Sequence, residues 1–368
     1  MTETAGTMPP TFMFNFSTQR EDILGALNEA NDLTVSFGSG RNDLVDAQLT
    51  INSIVTGGGG HKRDLITKGL LSSLAFTNQS NILITDEMSG VEALKLIAEK
   101  HFNVGDERMP TFNIEKSEDS QRWIQPNISD RKFMNEIWMH SYLSESFIGC
   151  GITSDGRFIC KDMKLQGAEY DWRFTNTPQD EKDIQYDTDY SLDIQTGLVN
   201  SWVGYGQEKI IHDLENSVSE LYAEDVKPSL ALIETIARRE GVGRRHHSLG
   251  MVTGNTHENY WRAYLKNLAH LAMFSAVQLT VSFHDLFVPI KVLDLVMFKD
   301  EDVASGIQAS EAVSGLYYVS KVTRTIQHKQ LVTVVELVRE SVNQVRGDKL
   351  SEGVSPSVIE SSGTSETQ

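Results

Sequence analysis

The sequence predicts a β-rich α+β protein, on three observations. The stretch Phe283–Asn343 holds three runs rich in Val, Ile, Leu and Tyr, broken by Gly, Ser and polar clusters, the composition of strands and turns. FIGCGITSDGRFICKDM sets Asp155-Gly156 between alternating apolar residues, a strong hairpin signal. Helical periodicity is confined to a few capped, amphipathic segments.

The closing stretch organises the chain. Leu316–Ile326 runs out, Gln327–Gln330 turns and Leu331–Arg339 returns. Leu331, Thr333, Val335 and Leu337 share one face, and Val332, Val334, Glu336 and Val338 the other. Both faces are largely apolar, so this strand is expected to be covered on both sides, as in a closed barrel packed on a neighbour. Composition bounds the rest. At 368 residues there is room for two or three domains with cores of their own. The charged fraction of 23% and hydrophobic fraction of 39% are those of a soluble globular protein. A net charge of −18 argues against general nucleic-acid binding, because phosphate is repelled. No apolar run approaches the ~20 residues that span a bilayer, and MTETAGTMPP lacks the parts of a signal peptide. Two cysteines cannot build a disulfide framework or a zinc site by themselves.

In chain order, Thr11–Phe16, Leu33–Phe37, Gln48–Val55, Leu70–Phe76 and Asn81–Thr85 read as strands. Thr18 and Glu21 have capping-box spacing for a helix over Gln19–Ala30. Gly57–Gly60 lies beside His61, Lys62 and Arg63, but no Gly-Lys-Ser/Thr follows at a P-loop offset, so a mobile hairpin tip is expected. Ser89 and Glu92 form a capping box ahead of a helix with Leu94, Ile97 and Ala98 inward. A polar loop runs to about Gln121. Ser129 caps DRKFMNEIWMHSYLSESF, with Phe133, Ile137 and Trp138 facing a core. In the hairpin that follows, a three-residue loop with Gly156 left-handed sets Cys150 opposite Cys160; a two-residue loop offsets them. Two free buried thiols are expected in a reducing compartment. Lys161–Asn200 is polar and acidic without the offsets of a calcium loop, and reads as a solvated loop, then a strand near Tyr190–Ile194. Asn200–Gly204 reads as a strand end. Lys227-Pro228 starts a helix that Gly241 and Gly243 end. Arg244, Arg245, His246 and His247 form the one basic cluster, a candidate contact for an acidic partner, read otherwise as a solvated loop. A helix over His257–Phe274 carries Tyr260, Tyr264, Leu268 and Leu271 as its core stripe, with His270 packed, and Val277–Phe283 is a half-buried strand. The tail 347–368 has almost nothing to bury and is expected to be disordered alone.

The order of elements resembles baseplate hub proteins of contractile-tailed bacteriophages, a family related to type VI secretion spike proteins. VEALKLIAEKHFNV resembles the helix after that family's first barrel. SDRKFMNEIWMHSYLSESFIGCGITSDGRFICKDM resembles its helix and short hairpin with an Asp-Gly turn, here Asp155-Gly156. FVPIKVLDLVMF and SGLYYVSKVTRTIQHKQLVTVVELVRESVN resemble its closing strands, with Pro289, Ser314-Gly315, Tyr318, Val322, Arg339 and Asn343 near the family's positions. Where the family usually has Pro-Gly-Asp, this chain reads Pro289-Ile290-Lys291. The resemblance runs from about Ser89 on.

The resemblance implies two β-barrel, tube-like domains joined by an α+β connecting region, with a helical insertion. The division it implies is residues 1–88, 89–172, 173–346 with the insertion at about 213–274, and a flexible tail 347–368. It implies a homotrimer whose six barrels adapt a sixfold tail tube to a threefold central spike, alongside other baseplate proteins, in the virion tail after assembly in the host cytoplasm. DNA passes through the channel without specific binding, and a negative lumen suits that. No cofactor, metal or catalytic residue is implied. Asp155, Gly156, Pro289, Gly315 and Tyr318 are the structural turn and strand candidates. No GxSxG, HExxH or Walker sequence is present. The competing readings are a tail-associated glycan hydrolase, needing two carboxylates about 5–10 Å apart, and a nucleic-acid-binding accessory protein using Arg244–His247.

Overall fold

The computed structural model describes residues 1–19, 32–38, 44–57, 63–71, 74–102, 112–114, 116–144, 146–163, 169–187, 190–194, 207–213, 217–224, 245–252, 256–284, 287–300, 313–327 and 330–339. The expected helix over Gln19–Ala30, the tip at 58–62, the strand end Asn200–Gly204, the helix starting at Lys227-Pro228, Arg244 and the tail 347–368 lie outside the described residues.

Alternation builds the first lobe. β1 (Thr2–Thr4), β2 (Thr11–Thr18), β3 (Asp32–Phe37), β4 (Val45–Gly57) and β5 (Arg63–Leu71) pair antiparallel in the order β1-β2-β5-β4-β3. In β2, Phe12 is buried and Phe14 and Phe16 half-buried, while Met13 and Asn15 face out. Period two with one apolar face is what a one-sided sheet requires. The strand expected over Leu70–Phe76 stops at Leu71, and a short helix, α1 (Leu74–Asn78), buries Phe76.

The connecting part is β6 (Ser80–Met88), α2 (Gly90–His101), β7 (Gln121–Ser129), α3 (Asp130–His140), β8 (Ile148–Ile152) and β9 (Phe158–Asp162). β6 pairs with β7, a strand the sequence reading left unassigned between the polar loop and Ser129; Arg122, Ile124 and Pro126 point outward and Gln121, Trp123 and Gln125 inward. The Ser89 box forms as expected: Ser89 N donates to Glu92 Oε2 (2.7 Å) and Glu92 N to Ser89 Oγ (3.3 Å). Ser129 Oγ accepts from Lys132 N. α3 ends at His140, short of the expected Phe147. Its end is held by a later helix, α4 (Tyr260–Phe274), whose Asn267 Nδ2 donates to the carbonyls of Met139 (3.1 Å) and Ser141 (2.8 Å). That tertiary capture is invisible in local periodicity. The face of α4 buries Ala263, Leu265 and Asn267, whereas Tyr260 and Tyr264 are only half-buried. His270 is a packed histidine, stacked on Phe147 at 5.1 Å.

The second lobe adds β10 (Trp172–Thr175), β11 (Asp183–Gln185), β12 (Tyr190–Ile194), β16 (Val277–His284), β17 (Leu295–Phe298), β18 (Gly315–Gln327) and β19 (Gln330–Arg339). β12 and the closing hairpin agree with the sequence reading; β10 and β11 replace part of the expected acidic loop. They form there because Arg173 takes up the charge, donating to Asp183 (2.6 Å) and Asp180 (2.9 Å). These bonds hold the Asp183 carboxyl well below its ordinary range. β13 (Gln207–Asp213), β14 (Val218–Glu224) and β15 (Arg245–Val252) form a separate sheet, β14-β13-β15. Thus the stretch read as a helical insertion at about 213–274 holds strands beside α4. VSELYAE pairs with β13 along its whole length, and that pairing outweighs its helix-forming Glu, Leu and Ala. On β19 one face has Thr333, Val335 and Leu337 buried and Leu331 half-buried; on the other Val338 is buried and Val332, Val334 and Glu336 are half-buried, so both faces are covered, the first more fully.

β18 joins the lobes. Gly315–Tyr318 pairs with β17, Lys321–Thr323 pairs with β1 on the same edge, and β19 takes the other edge. Twelve strands thereby form one sheet. The second lobe curls round Phe174, Ile184, Phe283, Phe298, Val335 and Leu337. Among the described residues no ladder closes into a barrel. β11 leaves its ladder after three residues, and the curl ends on single contacts, the Asp187 N–H donating to Ser282 O at 2.8 Å.

Gly69 of β5 tests this packing. A Cβ there would meet Thr50 O at 2.1 Å and the Phe12 ring at 2.4 Å. Gly69→Ala is expected to lose about 3 kcal/mol of stability, read as a lowered urea midpoint. An unchanged midpoint would contradict the β2–β5–β4 packing.

Candidate functional site

The residues singled out in the sequence fall at two places along β18. At its start, Gly315 sits at φ +143°, a conformation that excludes side chains, and opposes Phe298. Three residues on, Tyr318 lies between Leu295 and Val338 in an apolar cluster with Phe147, Ile159, Met163 and Leu293. The cluster lines a cavity of about 280 Å³.

Further along, β18 carries a register shift between Val319 and Lys321, after which Val322 and Arg324 point inward. Alternation calls for an apolar residue at 324. The guanidinium is instead buried against Glu3 of β1, Nη1 to Oε1 at 3.0 Å, and donates to Ile290 O at 2.5 Å. The backbone doubles this link: Arg324 N donates to Met1 O and the Met1 amine to Arg324 O, both at 2.8 Å.

The Asp155–Gly156 turn arrives at the same place. Thr153 N donates to Arg157 O (2.9 Å) and Gly156 N to Thr153 O (3.0 Å), with Gly156 left-handed at φ +79°. This is the three-residue loop, and it sets Cys150 directly opposite Cys160, both free and buried. Asp155 accepts from Arg157 Nε at 2.7 Å and from the Thr153 hydroxyl, and these bonds hold its carboxyl below the ordinary range despite burial. Asp155, Arg157, Pro289, Lys291, Glu3 and Arg324 together line a cleft of about 110 Å³. The structure therefore brings Asp155 and Pro289 together, with Gly156 next to Asp155 in the turn, and leaves Tyr318 in the neighbouring apolar cluster and Gly315 opposite Phe298. Arg245, His246 and His247 open β15, opposite Gln207, Glu208 and Lys209, where a loop was expected.

Sequence reading missed Glu3, Arg324, Lys161 and Asp294. The one available signal was an arginine at an inward strand position. Asp294 is buried beside Lys161 Nζ (3.6 Å) and accepts from Trp172 Nε1 (3.2 Å) and Lys291 N (2.9 Å). Burial pushes its carboxyl up to about 6. Its neighbours bind the hairpin to the second lobe: Lys161 also donates to Leu293 O at 3.3 Å. The arrangement is a lock between three segments distant in sequence. Among the described residues no group of three or more His, Cys, Asp or Glu could hold a metal ion, and no helix is long and apolar enough to cross a membrane.

No protein-family profile matches the sequence, and no curated protein matches it. Solved structures do match. A tail protein from Neisseria meningitidis MC58 superposes with a TM-score of 0.53 at 11% identity, over 93% of this chain and 92% of its own. The 43 kDa tail protein of prophage MuSo2 from Shewanella oneidensis superposes with a TM-score of 0.54 at 9% identity, over 92% and 93%. At such identities the likeness is one of fold, and it extends across nearly the whole of each chain.

Two outcomes test the junction. Glu3→Ala is expected to cost about 3–5 kcal/mol, since it strands a buried guanidinium, while Glu3→Leu with Arg324→Met recovers most of the loss; urea unfolding of the parent and the two variants checks this. The second concerns pH. Asp294, raised from 3.8 to about 6, contributes stability present below pH 4 and lost as pH rises to 6. His270, lowered by burial from 6.5 to about 4, contributes the opposite slope, stability lost as pH falls from 6.5 to 4. Asp294→Asn is therefore expected to leave the His270 slope unopposed, so that the melting temperature rises more steeply from pH 4 to 6 than in the parent.

Proposed function

We propose that this chain is a structural protein of a phage tail, the hub of its baseplate. The observation that carries the reading is the shared fold with two tail proteins, one of them from a prophage, across more than nine-tenths of each chain. In this reading the two lobes are the tube-type barrel domains of a homotrimer, divided near residues 88 and 172. Three copies present six lobes to the sixfold tail tube and meet a threefold spike on the other side.

Two features of the chain support assembly as its work. Among its exposed apolar residues, Ile82 (77% exposed) and Ile84 (65%) on β6 lie beside Ile124 on β7, with Ile84 and Ile124 directly opposite each other. Ribbons that leave such stripes uncovered mark protein contacts. The net charge of −18 opposes association through the remaining surface and suits a channel that conducts DNA without holding it. The junction chemistry fits too, because its charged groups are used to join segments of one chain.

The test is the native mass of the full-length chain over a concentration series, alone and with its tail's spike protein. A trimer, alone or on adding the spike, is the expected result. A closed dimer or tetramer would overturn the ring, because neither matches a sixfold tube.

A further inference from the structure

The β8–β9 hairpin holds the chain's two cysteines opposite each other, and its register decides how closely they approach. Thr153 and Arg157 are joined by a backbone hydrogen bond, so hydrogen-bonded positions recur at every second pair. Gly151 and Ile159 form the next; Cys150 and Cys160 fall at the following non-bonded position. The outward carbonyls agree: Cys150 O accepts from Gly6 N at 2.6 Å and Cys160 O from Asn113 N at 3.2 Å, both across to other segments. At a non-bonded antiparallel pair the Cα atoms are about 4.5 Å apart, inside the roughly 4.4–6.8 Å that a disulfide spans. Both side chains belong to the same core cluster as Ile152 and Phe158.

We propose that Cys150 and Cys160 form a two-electron oxidation site, closing to a cross-strand disulfide when the folded chain meets a peroxide. One thiol gives up its proton and its sulfur attacks an oxygen of hydrogen peroxide. The O–O bond breaks, leaving a sulfenic acid, and the departing hydroxide takes the proton as water. The second sulfur then attacks the sulfenic sulfur. The S–S bond forms, the S–O bond breaks, and a second water leaves with the second thiol's proton. Two thiols lose two electrons, and one peroxide becomes two waters.

Burial sets the rate. It raises the Cys150 thiol above its ordinary range, with the Cys160 sulfur adding to the effect, so thiolate is scarce and attack waits on opening of the hairpin. The same shelter protects the product from external thiols. The bond would pin the hairpin whose turn carries Asp155 to the cleft and whose Lys161 reaches Asp294. β8 has no slack to take up strain elsewhere: a Cβ at Gly151 would meet Val292 Cγ2 at 2.7 Å.

The test exposes the purified full-length chain to millimolar hydrogen peroxide below its unfolding temperature, then blocks free thiols under denaturing conditions and maps tryptic peptides. Trypsin cuts after Arg157, between the cysteines. The expected result is that the short peptide Phe158–Lys161 is found joined to the peptide ending at Arg157, and that both thiols return on treatment with dithiothreitol. The oxidised chain is expected to melt a few degrees higher than the reduced one. Cys160→Ser, treated alike, shows no such rise. The proposal is overturned if the parent keeps both thiols after a day, if Cys150 or Cys160 gains two or three oxygens without the joined peptide, or if the cysteines link separate chains.

Discussion

The buried pair between Glu3 and Arg324 is the interaction on which the two-lobed sheet depends. β18 must serve β17 over its first residues and β1 further on, along one edge. β1 is only three residues long, too short to fix its own register against a thirteen-residue partner. A charge pair removes that freedom. A slip of β1 by one residue would turn Glu3 to the opposite face and leave Arg324 buried without its anion. The cost of taking both charges out of water is large, and hydrogen bonds from Arg324 to Ile290 O and Val288 O offset part of it. Glu3 Oε2 and Arg324 Nε nonetheless find no hydrogen-bond partner. The pair is better understood as specifying one register than as adding net stability.

From that fixed register the rest of the junction follows. Once β1 is held, Gly6 reaches the hairpin through Cys150 O, and Ala5 bridges to Gly151. The hairpin then presents Asp155 to the cleft and Lys161 to Asp294, and the segment 288–294 is clamped between hairpin and β18. The steps through the hairpin join residues more than a hundred positions apart. Such contacts are the ones that hold a multi-segment protein rigid, because closing each loop lowers the entropic cost of the next.

This explains which parts were legible in the sequence. Local grammar was readable wherever one element decided its own form. Ser89 and Glu92 announced α2, Asp155-Gly156 announced the hairpin, and the alternation of Leu331–Arg339 announced β19. What failed were elements shaped by remote partners. β10 and β11 exist in an acidic stretch because Arg173 binds Asp183 and Asp180; α3 stops at His140 because Asn267 takes its carbonyls. β7 is stranded by β6, forty residues earlier by register (Ile84 with Ile124). The candidate site was half legible. Its turn and proline stood out, but Glu3 lay in an N-terminal stretch with no pattern, and Arg324 looked like any strand arginine until its face was known.

The distribution of charge ties the fold to the proposed role. Several carboxylates are paired within the chain: Glu3 with Arg324, Asp183 with Arg173 and Asp155 with Arg157. The excess that makes the net charge −18 must therefore lie mostly outside these contacts, on surfaces facing water or other chains. Such a surface repels copies of itself at distances up to a Debye length, about 8 Å at physiological salt, so association has to be driven by close apolar contact. Among the described residues one such contact is the Ile82, Ile84 and Ile124 stripe, on a ribbon belonging to neither lobe's sheet. Long-range repulsion with short-range apolar patches restricts a chain to a small number of defined contacts, which is the physical requirement for a closed ring in place of an open aggregate.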